Sequence, residues 1–254
     1  MFPVLFEIGP VTVYTYGFFV AAGALAAIVF ARSQARRWGI DPDRITDLCF
    51  FLVIAAIVGS RLFYVAINGD YFIANPLEVF KIWSGGLVFY GGFVAALMTA
   101  VIFIRTHSLP FGLTADIAAM AVPLGHAFGR LGCFFAGCCH GSQCDLPWAV
   151  TFHDAHSLAP LNTPVHPTQL YSAAANLAIF GLLLLLRSKR RFEGQLFLYY
   201  VLFYGIARSF IEIFRGDDRG AFLAGVLSVS QVMGLSAAAA ALVLMIWMLQ
   251  KQGK

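Results

Sequence analysis

Apolar segments long enough to cross a lipid bilayer recur along the whole chain, and they constrain the fold more than any other feature. A hydrocarbon core of ~30 Å is crossed by about 20 helical residues. Seven stretches qualify, at 11–31, 47–67, 86–104, 112–132, 170–186, 194–214 and 222–248. Only 12% of the 254 residues are charged, about half the share of an average soluble domain. A water-soluble fold of this composition would leave a large apolar surface in water, which excludes a soluble enzyme or a nucleic-acid-binding module. Ten-residue segments of alternating polarity, the mark of an outer-membrane barrel, are absent. The expected fold is therefore all-α, a polytopic membrane protein of seven transmembrane helices forming one domain over residues 1–254. MFPVLFEIGP has no basic residue ahead of its apolar run, so it does not read as a cleaved signal peptide.

Basic residues mark the orientation, since cytoplasmic loops collect Lys and Arg. Eleven of the 17 fall on one side, in 32–44, at Arg105, in 187–191, and at Lys251 and Lys254. Lys81, Arg215 and Arg219 fall on the other, and the long loop 133–169 has none. This pattern predicts an outward (periplasmic or extracellular) N-terminus, a cytoplasmic C-terminus, and residues 133–169 as a small outward-facing, cysteine-rich loop domain.

Three arginines remain inside apolar runs: Arg61, Arg130 and Arg208. A guanidinium at the bilayer centre costs at least ~2.5–3.5 kcal/mol, so each needs a function or a compensating partner. The topology places all three in the outer half of the bilayer, level with Tyr16 and Tyr90. Arg208 has Glu212 one turn on, in reach of an intrahelical ion pair, and Arg61 is able to snorkel to the headgroups. Arg130 stands in HAFGRLGCFFAGCCHG, among four glycines and with no acidic neighbour. A fixed cation beside glycines that admit close backbone approach suits a phosphate. At that depth the available phosphate belongs to a phospholipid headgroup.

Gly85, Gly86, Gly91 and Gly92 bracket Tyr90 in SGGLVFYGGFV; such pairs serve close helix packing or a cavity-lining break. Tyr16, Tyr90 and Tyr204 serve as interfacial anchors or as substrate-facing phenols. In VHPTQLY, His166 and Gln169 precede the fifth run, where His166 reads as a cap or hydrogen-bonding group ahead of a catalyst. His153, Asp154 and His156 match no zinc spacing and read as a solvated loop. Cys133, Cys138, Cys139 and Cys144 lie within twelve residues; facing an oxidising compartment, one or two disulfides are expected ahead of a metal. No metal and no cofactor is expected.

Taken in order, IGPVTVYTYG, GSRLFY, SGGLVFYGG, GHAFGRLGCFFAGCCHG, HPTQLY and YGIARSFIEIFRGD resemble the prolipoprotein diacylglyceryl transferase family over nearly the whole chain. Members of that family move the diacylglyceryl group of phosphatidylglycerol onto the lipobox cysteine thiol of a prolipoprotein, releasing glycerol phosphate and forming a thioether. The resemblance implies those two partners, within membrane lipid, and a bacterial cytoplasmic (inner) membrane location. It implies that Arg130 and Arg208 are catalytic and contact the lipid headgroup. Tyr16, Arg61, Gly132, Gly141, Tyr204 and Glu212 would line the substrate cavity, together with Gly91, Gly92, His166 and Gln169. Tyr90 stands where many members carry a histidine proposed as the base. Cys133, Cys138 and Ser172 replace the family's asparagine, glutamate and a further acid, so the resemblance names no base; Tyr90 is a candidate catalytic residue, expected to position substrate ahead of accepting the thiol proton. Two other readings have a different acceptor for the same lipid donor, or phospholipid binding without catalysis.

Overall fold

The computed structural model describes residues 2–9, 11–81, 85–216, 221–222 and 227–252. Arg219 and Lys254, used above for orientation, lie outside the described residues. The elements run β1 (Val4–Ile8), β2 (Val11–Tyr14), α1 (Thr15–Arg37), α2 (Pro42–Ile67), α3 (Gly69–Ala74), α4 (Phe89–Thr106), α5 (Phe111–Ala136), β3 (Val150–Thr151), β4 (Pro164–Val165), α6 (Thr168–Leu186), α7 (Gln195–Glu212), β5 (Ala221–Phe222), β6 (Leu227–Ser228) and α8 (Val229–Gln252). A 3-10 turn over Pro76–Phe80 precedes α4. The strands form three small antiparallel pairs, β1–β2, β3–β4 and β5–β6.

Six helices, α1, α2, α4, α5, α6 and α8, are long and apolar enough to cross a membrane. They expose Leu25, Phe50, Leu97, Leu185 and Val243 by half or more, which lipid accepts and water penalises. The protein is a multi-pass membrane protein. The expected sixth run is present as α7, 18 residues long, yet it is not among those six, because Arg208, Glu212 and three tyrosines interrupt its apolar surface. The first run begins later than expected. Val11, Thr12 and Val13 are β-branched or alternate in polarity and pair with β1, so α1 starts only at Thr15.

The chain divides into two compact units, Met1–Phe30 with Ala115–Lys254, and Ala31–Thr114. In the smaller, Pro42 opens α2 and the Asp41 carboxylate accepts from the Asp43 amide at 2.9 Å, a side-chain N-cap. Helix α2 then packs on α4 through glycines. A Cβ on Gly91 would stand 2.5 Å from the Gly59 carbonyl oxygen, and one on Gly92 2.7 Å from that of Ala56.

In the larger unit α5 is the most buried of the six apolar helices, 44% of its apolar window against 11% for α2. Two ties set its height. Asp116, fully buried, accepts from the Gly194 and Phe197 amides at 3.0 Å each, placing a carboxylate at the N-terminus of α7, where the helix dipole favours it. Gly23 of α1 meets Gly125 of α5, a Cβ there lying 2.8 Å from the Gly125 carbonyl oxygen. Helix α7 packs against α6 and α8.

Candidate functional site

Arg130 lies on α5 one turn after His126, and its Nε donates to His126 Nε2 at 3.1 Å. Of a guanidinium's five donors, the four on its Nη atoms make no other hydrogen bond among the described residues. Arg208 lies on α7 and donates through Nη1 to Glu212. The intrahelical ion pair is therefore formed. Glu212 is also held by the Ser230 hydroxyl, by Ser228 Oγ at 3.2 Å, and by Arg215 Nε at 4.0 Å. The serines hold the Glu212 carboxylate, which in turn holds one side of the Arg208 guanidinium.

The two arginines line one cavity, together with His126, Asn176, Ser172 and Tyr204 from α5, α6 and α7. It is narrow, about 10 Å³, which admits about one water; a headgroup enters only as these side chains part. Tyr204 and His126 rings are 5.6 Å apart, and Tyr200 stacks behind Tyr204 at the same separation. Ala175, Ala207 and Ile211 are shared with a second cavity of about 450 Å³. This one is lined by Leu146, Trp148, His166, Tyr171, Phe210 and Phe214. A cationic niche thus opens beside an apolar trough, the two halves of a phospholipid's chemistry.

The loop after α5 is fastened to α6 and to the end of α7. Gly141 donates its amide to the His166 carbonyl at 2.9 Å, and Ser142 donates to that of Phe214 at 2.9 Å. A Cβ on Gly141 would meet His166 Cβ and the Phe214 carbonyl oxygen, each at 2.5 Å, so only glycine fits there. A Cβ on Gly132 would lie 3.1 Å from the Tyr16 carbonyl oxygen, a tight approach that a shift of a few tenths of an ångström would relieve. His166 Nδ1 pairs with the Tyr171 hydroxyl at 3.3 Å, which also accepts from Trp148 Nε1 at 2.8 Å. Gln169 is fully buried and its Nε2 donates to the Cys138 carbonyl at 2.8 Å; its position is that of a scaffold for the loop.

All five cysteines are free thiols, so the structure carries neither of the expected disulfides. Cys133, Cys138 and Cys139 instead converge, their sulfurs within 4.8 Å of one another. Cys133 and Cys138, and then Arg215, hold the Cys139 thiol below its ordinary value, whereas Cys133, Cys139 and burial push Cys138 up. Tyr16, in the first turn of α1, is within electrostatic reach of all three sulfurs and of Arg130.

Four expected site residues belong to the smaller unit, and three of them have structural employment. Arg61 is buried. Its donors go to the carbonyls of Val79 at 2.9 Å, Gly85 at 2.8 Å, Gly86 at 3.4 Å and Glu78 at 2.5 Å. Its guanidinium also lies over the Tyr64 and Phe72 rings, 5.6 and 5.3 Å from the centroids. Rather than snorkelling, Arg61 braces the segment ahead of α4, and it lines a cavity of about 450 Å³ with Tyr64, Asn68 and Glu78. Gly91 and Gly92 serve the α2–α4 contact, where a Cβ on either would clash with α2. Tyr90, in the first turn of α4, is 60% exposed. Sequence reasoning passed over His126 and Asn176; the four-residue spacing in HAFGR was the available signal for His126.

Comparison with known proteins decides the family. A sequence model described as prolipoprotein diacylglyceryl transferase matches residues 3–247. The chain belongs to the prolipoprotein diacylglyceryl transferase family. It is 34% identical over 235 residues to the phosphatidylglycerol–prolipoprotein diacylglyceryl transferase of Clostridium tetani, covering 92% of this chain and 93% of that one. To the enzyme of the same name from Bacillus velezensis it is 34% identical over 249 residues, covering 96% and 91%. To that from Nostoc sp. it is 33% identical over 254 residues, covering 97% and 89%. As a family member it carries Arg130 and Arg208 on a common cavity, and a trio of thiols beside Tyr16.

Proposed function

We propose that this family member transfers the diacylglyceryl group of phosphatidylglycerol to the lipobox cysteine thiol of prolipoproteins, forming a thioether and releasing glycerol phosphate. The observation that carries the proposal is the pairing of the Arg130–Arg208 cavity with the apolar trough that shares three of its residues. The phosphodiester lies between the two guanidinium groups and an acyl chain lies along Phe210, Phe214 and Trp148. As the glycerol C–O bond breaks, charge gathers on the leaving phosphate, and Arg130 and Arg208 oppose it in a site too narrow for bulk water. Loss of one such preorganised donor costs ~10²–10³ in rate. Glu212 and His126 position the two guanidinium groups, and Tyr90 positions substrate. Arg61, Gly91 and Gly92 build the support for α4.

Helix α7 is the seventh span, tolerated in lipid because Arg208 and Glu212 neutralise one another. With it the count of spans and the basic-residue pattern agree on an outward N-terminus and a cytoplasmic C-terminus, in the bacterial inner membrane, with the whole chain acting as one transferase domain. The experiment is incubation of the purified protein with headgroup-labelled phosphatidylglycerol and a lipobox peptide. Thioether formation with release of labelled glycerol phosphate supports the reading. Lipid binding without release refutes it.

A further inference from the structure

Cys133, Cys138 and Cys139 are the one group of three or more potential ligands whose donor atoms converge among the described residues. Sulfurs bound tetrahedrally at ~2.3 Å from one zinc ion are about 3.8 Å apart. A mutual spread within 4.8 Å therefore closes on an ion with small side-chain movements. The trio is built into the backbone. Gly137 and Cys139 both adopt positive φ, 77° and 60°, turning the chain back on the end of α5 so that Cys138 and Cys139 return to Cys133. Two buried side chains then fix the turn, Gln169 Nε2 on the Cys138 carbonyl and Thr168 Oγ1 on that of Cys139, each at 2.8 Å.

The surroundings suit an ion held by three thiolates. Such a set prefers a soft cation, and with Zn²⁺ it carries one net negative charge. Arg215, its side chain 4% exposed, is within electrostatic reach of the Cys139 sulfur and offsets that charge. No fourth protein donor converges on the trio among the described residues. Three protein ligands and an open fourth position are the pattern of catalytic rather than structural zinc. Cys138 also lines a cavity of about 420 Å³ with Tyr14, Tyr16, Gly17, His156 and Leu158, through which a further ligand reaches the trio.

We infer that Cys133, Cys138 and Cys139 hold a Zn²⁺ ion whose open position takes the acceptor cysteine as its thiolate. The inference rests on the proposed transfer for its chemistry and on the cluster alone for its metal. A coordinated thiol is deprotonated outright, so no side-chain base is required. The sulfur then forms a bond to the glycerol carbon while the carbon–oxygen bond to phosphate breaks. The electron pair leaves on glycerol phosphate, and the proton released by the thiol ends on that phosphate monoester. Nothing is oxidised or reduced, and the ion is unchanged.

The test uses the full-length protein, purified from zinc-supplemented cells into nanodiscs. Elemental analysis is expected to find about one zinc per chain, retained in Cys144→Ser and lost in Cys133→Ser, Cys138→Ser and Cys139→Ser. Cobalt substituted into the wild type is expected to give thiolate-to-metal absorption, and a lipobox peptide shifts its ligand-field bands while the Cys→Ser peptide does not. Chelation lowers transfer by ~10²-fold or more, and added zinc restores it. Absence of zinc together with absence of cobalt–thiolate absorption overturns the site, as does full transfer by metal-free enzyme. Metal binding and the peptide-dependent shift without glycerol phosphate release leave the site standing and overturn the transfer instead.

Discussion

Replacing Arg130 by lysine keeps the charge and removes the planar fork, which makes it a sharper perturbation than deletion. One of the five guanidinium donors is spent on His126 Nε2 at 3.1 Å, leaving four on the two Nη atoms for a phosphate, enough for a two-pronged contact. Lysine presents a point charge without that geometry and loses about one charge-assisted hydrogen bond in the transition state. At about 1.5–3 kcal/mol for such a bond, and 1.36 kcal/mol per tenfold, Arg130→Lys should slow transfer about 10–150-fold. Arg130→Ala removes the charge as well and should cost ~10²–10³ or more. The assay is the initial rate of thioether formation in nanodiscs at saturating peptide, with insertion and thermal melting as controls. Because the contact strengthens as the phosphate leaves, kcat should fall together with kcat/KM. Wild-type turnover by Arg130→Lys, or a loss in Arg130→Ala confined to the KM of the peptide, refutes the reasoning.

Other expected outcomes follow from single contacts. Tyr90→Phe keeps the ring that positions substrate and should leave kcat within about tenfold of wild type, below the ~10²–10⁴ of acid–base catalysis; a larger loss measured in the same assay assigns proton transfer to the phenol. Arg61→Ala strands four backbone carbonyls and should lower stability by at least about 2 kcal/mol in a thermal melt, with phosphatidylglycerol affinity unchanged in protein that remains folded. Gly141→Ala drives a Cβ to 2.5 Å from two neighbours and should cost about 1–3 kcal/mol while lowering transfer, read by melting and by rate.

Much of this was legible in the sequence because the bilayer imposes a coarse rule. Twenty apolar residues announce a helix whatever lies beside them, and the cost of burying a guanidinium made Arg130 and Arg208 conspicuous. Their shared cavity is consistent with the depth argument that joined them. What stayed hidden depends on partners that carry no sequence mark. Arg61 looked like an anion ligand because backbone carbonyls are the same at every residue, and nothing in the spelling of residues 78–86 shows four of them turning toward it. The Gly91–Gly92 pair carries no mark that Gly59 and Ala56 stand opposite it. The cysteines read as disulfide partners because spacing says nothing of the turn at Gly137 and Cys139, which gathers three sulfurs at one point. Asp116 escaped notice as a lone acid, since its partners are the amides at the start of α7 and Arg190, far along the chain.

The central claim is that Arg130 and Arg208 grip the phosphate that leaves. Its most direct measurement is single-turnover release of labelled glycerol phosphate by wild type and by the Arg130→Ala/Arg208→Gln double variant, each folded in nanodiscs with the same lipid and peptide. Release in step with thioether formation by the wild type, and loss of both in the double variant, is the predicted result. Equal release by the two proteins contradicts it.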